Sequence, residues 1–195
     1  EYLVLNQNKN NQFSYYSNLE EQKEVFEIRK AGLNILMSMK GDKKPVAFIE
    51  DCAVSLDHLA DYTAQLKEIF KKYNTSGMFY AHASVGTLHI RPVLNMKSDE
   101  DIKNMRSISE ESFEIVKNYK GSHSGEHGDG IVRSEFHEMM FGKKIVNAFE
   151  EIKDTFDSKN LLNPGKIVRP FKSNDRDLMR YKSGYQAQNI STHYD

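Results

Sequence analysis

Cysteine is almost missing from this chain. Cys52 is the single one among 195 residues. That excludes an internal disulfide, a thiolate zinc cluster and an iron–sulfur site within the segment, and it fits a reducing compartment such as the cytoplasm. No apolar run approaches the roughly 18–20 residues of a membrane span, and no signal-peptide pattern opens the chain. At peripheral sites a membrane surface stays open. The formal net charge of -1 gives no excess of one sign, so a broad nucleic-acid-binding surface is not indicated. There is no Gly-Lys-Ser/Thr phosphate loop, no dinucleotide fingerprint and no His-Glu-x-x-His helix. The chain opens on Glu1 without an initiator Met and reads as a piece of a longer protein.

What is present is concentrated in two segments, Tyr80-Ala-His-Ala-Ser-Val-Gly-Thr-Leu-His-Ile-Arg91 and Ser124-Gly-Glu-His-Gly-Asp-Gly130. His82 and His89 are separated by an odd spacing, which on one strand would place them on opposite faces. Gly86 between β-prone neighbours instead predicts a hairpin with Val85-Gly86 at its tip. In that register His82 faces His89 and Tyr80 faces Arg91, with Cβ atoms roughly 4.5–5.5 Å apart. Tyr80, His82, His89 and Arg91 then share one side, and Ala81, Ala83, Leu88 and Ile90 the core side. Glu126-His127 sits among three glycines, a sign of unusual dihedrals or close approach. His82, His89 and Glu126 can make a three-ligand metal site with an open position, leaving His127 to move protons. Such a donor set suits Zn²⁺, with Mn²⁺ or Fe²⁺ also compatible.

Periodicity predicts a helix over 19–40, a largely buried strand Pro45–Val54, and a helix capped by Ser55 running to Tyr73. The hairpin follows, over 77–94. A third helix starts at the Ser98 cap and stops at Gly121, with an acidic first turn and Lys117 and Lys120 near its end. Ser134 is read as capping a short helix to Phe141, and a further helix runs over 143–156. Glu1–Leu5 is read as a strand. His58 and His137 are expected on helix surfaces, His123 exposed or in a supporting role, His193 in the tail, and Asp129 orienting His127 or its loop. The domain is expected to span 1–170, with 171–195 a loosely ordered extension. The order of elements points to an α+β fold, an antiparallel or mixed sheet with helices on one face.

Three ordered motifs carry a resemblance: His82–Asn95, Ser124–Arg133 and Phe156-Asp-Ser-Lys-Asn-Leu-Leu-Asn-Pro-Gly-Lys-Ile167. Over residues 20–170 the chain resembles the C-terminal domain of FAD-linked oxidases, a group with D-lactate, D-2-hydroxyglutarate and glycolate dehydrogenases. Lys44–Asp51 and Leu178–Tyr185 look closer to a branch fused to a downstream iron–sulfur module. The resemblance implies a ferredoxin-like antiparallel sheet with C-terminal helices, capping the FAD of an upstream domain that these residues do not include. It implies oxidation of a D-2-hydroxy acid, 2-hydroxyglutarate- or lactate-like, to the 2-oxo acid. Several relatives bind a divalent ion through positions matching His82, His89 and Glu126, with the base at His127. Arg91 stands where some relatives carry an Asn, and Arg29 lies where relatives place a substrate-carboxylate arginine. Lys166, with Asn163, is expected near the flavin. The fragment alone is expected to be inactive. Two other classes compete: a metal-dependent hydrolase using the same His/His/Glu set, and a non-catalytic interaction module.

Overall fold

A computed structural model describes residues 16–186. The chain divides into two compact units, Glu1–Met39 and Lys40–Asp195. In the first, the described part is helix α1, Leu19–Met37, whose first turn is capped by the Asn18 side chain accepting from the Glu20 N–H. The predicted strand Glu1–Leu5 lies outside the described residues. Among those residues, no helix is long and apolar enough to cross a membrane.

The second unit is α+β, as its sequence pattern predicts. Its sheet is built on one long strand. β3, Gly77–His82, and β4, Thr87–Leu94, form the antiparallel hairpin. On the other edge of β4 lie β1, Lys44–Pro45, and β2, Cys52–Ala53, both antiparallel to it. These two short ladders are one interrupted strand. From Pro45 to Cys52 is seven steps, while their partners Val93 and Leu88 are five apart. The two extra residues make a bulge, which bends a strand and re-aims its side chains. The run Pro45–Val54 is therefore mostly buried, as expected, but pairs only at its ends.

α2, Leu59–Lys72, and α3, Asp99–Asn118, cover the apolar face. Tyr62, Leu66, Ile69 and Phe70 of α2 are buried at helical spacing, as are Ile102, Met105, Ile108, Phe113 and Val116 of α3. Each such side chain contributes about 1.5–3 kcal/mol by leaving water. Strand–helix–hairpin–helix with β4 between the bulged strand and β3 is the ferredoxin-like order. Its fourth strand shrinks to one bridge, where Ala53 and Ser122 exchange two backbone hydrogen bonds. That bridge lays the segment after α3 along the bulge.

Local signals partly hold. Ser98 caps α3 through the Asp101 N–H. Ser55 makes no side-chain cap; a 3-10 turn, Leu56–His58, precedes α2 instead. Lys120, not Gly121, takes the positive φ (53°) that ends α3. Ser134 is no cap either. It lies between α4, Gly130–Arg133, and α5, His137–Phe141, where its hydroxyl donates to the Gly130 carbonyl and accepts from the Ile167 N–H. Helix α6 runs Lys143–Phe156, as its apolar spacing predicts. Residues after 170 are not a loose extension as far as Gln186. Arg176 donates to the Met96 and Lys97 carbonyls and pairs with Asp99, and Ser183 donates to Asp99.

The hairpin register differs from the expected one. Tyr80 faces His89, and His82 faces Thr87. A 3-10 turn, Ala83–Val85, plus left-handed Gly86 (φ 73°) closes the loop one residue earlier than a Val85-Gly86 tip would. Moving a loop centre by one residue moves the register by two, which keeps every side chain on its predicted face. Gly86 is required twice over, because a Cβ there would stand 1.9 Å from the Val54 carbonyl oxygen. Gly86→Ala should cost more than about 2 kcal/mol of unfolding free energy, read from denaturant midpoints at constant slope. A change inside about 0.5 kcal/mol, typical of an open surface position, would refute this register.

Candidate metal centre

Three separate pieces of chain meet on the polar face of the hairpin. β3 brings His82 and β4 brings His89, their rings 5.1 Å apart and edge-to-face. The bulge brings Glu50 and Asp51. The Gly-rich loop brings Glu126 and His127, and the His127 ring stacks on His89 at 4.9 Å, the planes 7° apart. Tyr80 stacks on the other side of this group, 5.7 Å from His89.

Asp51 holds the loop. It is fully buried, and its carboxylate accepts from the N–H groups of Glu126 and His127, the latter at 2.8 Å, and from the Ser124 hydroxyl. Its carbonyl accepts from Gly125 N–H at 2.7 Å. A Cβ on Gly125 would come within 3.2 Å of that carbonyl, so this residue permits the approach. Burial alone would raise the Asp51 carboxyl. The N–H groups of His127 and Glu126, the His127 ring and the Ser124 hydroxyl outweigh burial and hold it below its ordinary 3.8.

One carboxylate oxygen is the focus of three imidazoles. Glu126 Oε1 lies 3.0 Å from His89 Nε2, 3.6 Å from His82 Nε2 and 3.5 Å from His127 Nε2. His89 Nδ1 is 2.9 Å from the Glu50 carbonyl oxygen, which can only accept. That nitrogen therefore carries a hydrogen, and a neutral ring turns its bare Nε2 lone pair at the Glu126 oxygen. Two lone pairs at that distance repel unless a second ring proton or a cation stands between them. Two ligands on tetrahedral zinc, each about 2.0–2.1 Å from the ion, lie about 3.3 Å apart. The spacing fits a divalent ion for His89, Glu126 and His127, whereas His82, 3.6 Å from the same oxygen, stands outside the set of mutually close ligand atoms. Asp51, His89, Glu126 and His127 offer ligand atoms within 4.8 Å of one another, although the Asp51 oxygens are already taken by the loop.

The other expected residues are distributed as follows. Arg91 shares the face, but its Nε donates to Glu50 Oε2 at 2.6 Å. Arg29 belongs to the other unit, on α1. Lys166 donates to the Asn163 side chain. Both line an apolar cleft of about 670 Å³ with Phe149, Ile152, Phe156 and Leu162, and none of the imidazoles of the cluster borders it. His58 stacks on Tyr119. The expectation for His137 fails, since it is buried and not on a helix surface. His123 is buried too, which leaves its supporting role, and Asp129 faces these two rings, which leaves it the loop and not His127. His193 lies outside the described residues. Sequence reasoning missed Glu50 and Asp51, although two adjacent acids inside an apolar strand were a visible signal. Cys52 is buried, its thiol pushed up to about 12 by desolvation.

Residues 4–167 match the family of FAD linked oxidases, C-terminal domain. The chain belongs to this family. It is 37% identical over 149 residues to a D-2-hydroxyglutarate dehydrogenase of Pantoea ananatis, covering 76% of this chain and 14% of that protein. To the enzyme of the same name from Haemophilus influenzae it is 35% identical over 159 residues, 82% of this chain and 15% of the relative. A glycolate oxidase subunit, GlcD, of Bacillus subtilis is 29% identical over 148 residues, 76% of this chain and 31% of that subunit. The chain thus spans about one seventh of the length of the first of these curated relatives.

In this FAD-linked oxidase domain, burial pushes the His123 imidazole down from 6.5 to about 4, against the pull of Asp129. A folded-state value below the unfolded one means the neutral ring's contribution is present above pH 6.5 and lost as pH falls toward 4. Chelator-treated protein should lose up to about 3 kcal/mol across that window. His123→Asn should flatten the trend, and an unchanged slope in equilibrium unfolding would show that another group sets it.

Proposed function

We propose that this chain is the substrate-side half of an FAD-dependent dehydrogenase that oxidises a D-2-hydroxy acid, 2-hydroxyglutarate- or lactate-like, to the 2-oxo acid. The relatives named above are D-2-hydroxyglutarate dehydrogenases and a glycolate oxidase subunit, all more than twice as long as the chain. That length leaves room for an upstream FAD-binding domain and for the downstream iron–sulfur module or other electron acceptor that the motifs suggest. The observation that carries the reading is His89, its Nδ1 fixed on the Glu50 carbonyl and its Nε2 aimed at Glu126.

His82, His89 and Glu126 would hold a divalent ion, zinc by preference. Such an ion supplies Lewis acidity that makes the substrate hydroxyl easier to deprotonate. The flavin supplies the hydride acceptor, which is cofactor chemistry. His127 takes the hydroxyl proton. Its Nδ1 lies 3.5 Å from Glu50 Oε1 and 3.7 Å from Asp51 Oδ1, both acceptors, which favours the hydrogen on Nδ1 and leaves Nε2 as the base. The stacked His89 ring fixes its plane. Arg91, oriented by Glu50, and Arg29 are the candidates for the substrate carboxylates, and Lys166 with Asn163 for the flavin side.

The full-length protein, metal-loaded and without air, tests the assignment. Its flavin absorbance should bleach with D-2-hydroxyglutarate or D-lactate and not with the L-acids, and chelation should suppress the bleaching. Flavin that stays oxidised with every 2-hydroxy acid rejects the reading. Metal-dependent hydrolysis of esters or amides by that same preparation would put a hydrolase in its place.

A further inference from the structure

A second set of ligand-type side chains lies at the far ends of the Gly-rich loop. His123 opens the loop, Asp129 closes it, and His137 begins α5. Their ligand atoms lie within 4.8 Å of one another. His123 is 0% and His137 3% exposed. His137 Nδ1 is 3.2 Å from the Ile167 carbonyl oxygen, so that nitrogen carries the hydrogen, and Nε2 faces Asp129 Oδ2 at 3.1 Å. His123 Nε2 lies 3.6 Å from the other oxygen, Oδ1. By hydrogen-bond geometry neither His123 ring nitrogen has a partner, nor has Asp129 Oδ1, although the Arg133 backbone lies close enough to the ring to favour its charged form. Buried polar atoms without partners are rare and costly to leave so. The guanidinium of Arg133, the nearby cation, is turned to the Gly128 carbonyl instead. The two buried imidazoles stand 3.6 and 3.1 Å from the carboxylate oxygens, N···O separations close to a tetrahedral edge.

We propose that His123, Asp129 and His137 form a second divalent-metal site, zinc-type by its donors and structural in role, that clamps the loop bearing Glu126 and His127 onto α5. The ion would join both ends of that loop to the helix start, and water would complete its shell. One ion would take a lone pair from each of the two neutral rings and an oxygen of the carboxylate, satisfying three of the four orphaned atoms. The site does not depend on the redox reading above.

Zinc content per chain tests it in the full-length protein, stripped with chelator, reloaded with Zn²⁺ and desalted. Wild type should hold one ion more than a His123→Asn/His137→Gln variant. A His82→Ala/His89→Ala variant should retain that ion, and its binding should vanish when all four substitutions are combined. Full wild-type loading of the 123/137 variant, or complete loss of zinc from the 82/89 variant, overturns the proposal. The 82/89 variant leaves His123, Asp129 and His137 untouched, so it decides the question even if the other variant fails to fold. Wild-type zinc content in the 82/89 variant together with loss in the 123/137 variant would uphold this site and remove the first one.

Discussion

His127→Ala in the full-length protein should lower turnover by about 10²–10⁴-fold, the usual contribution of a positioned general base, while metal content stays at the wild-type level. The separation of the two readouts follows from the geometry. Glu126 Oε1 has two other imidazoles, His82 and His89, within 3.6 Å. His127 instead has carboxylates near both ring nitrogens, Glu50 and Asp51 at Nδ1 and Glu126 at Nε2. Removing its ring takes away a proton acceptor and leaves a His/His/Glu donor set. Wild-type turnover in the variant would remove His127 from the chemistry. Lost metal with lost turnover would make it a ligand.

Asp51→Asn should reduce metal affinity by about 10–100-fold, the range seen when a group that orients metal ligands is altered, and turnover should fall with it. Asp51 touches no substrate in this account. It fixes the backbone N–H groups of Glu126 and His127, and thereby where both side chains stand. An amide of the same shape keeps one acceptor oxygen and loses the charge that a buried carboxylate shares with those N–H groups. Because the Asp51 carboxyl lies below its ordinary 3.8, its hold on the loop is present above that pH and is lost as pH falls through the folded-state value. Unchanged zinc affinity in Asp51→Asn, measured by competition with a chromophoric chelator, would mean that the loop is held by other contacts.

The residue pattern alone determined the longer helices, the hairpin and the face on which each hairpin side chain lies. These are short-range properties. Apolar spacing, a Ser98 cap and a period of two are written into neighbouring residues. The family was legible for the same reason, since three ordered motifs survive in the linear chain. Tertiary structure alone decided the register, because the loop closes where Gly86 meets the Val54 carbonyl, a contact between distant segments. It alone revealed the two-residue bulge that turns Glu50 and Asp51 to the site, and the burial of His123 and His137 around Asp129. Local sequence names the groups that can bind; only packing sets which carbonyl takes which hydrogen, and therefore which nitrogen lone pairs are left facing a carboxylate.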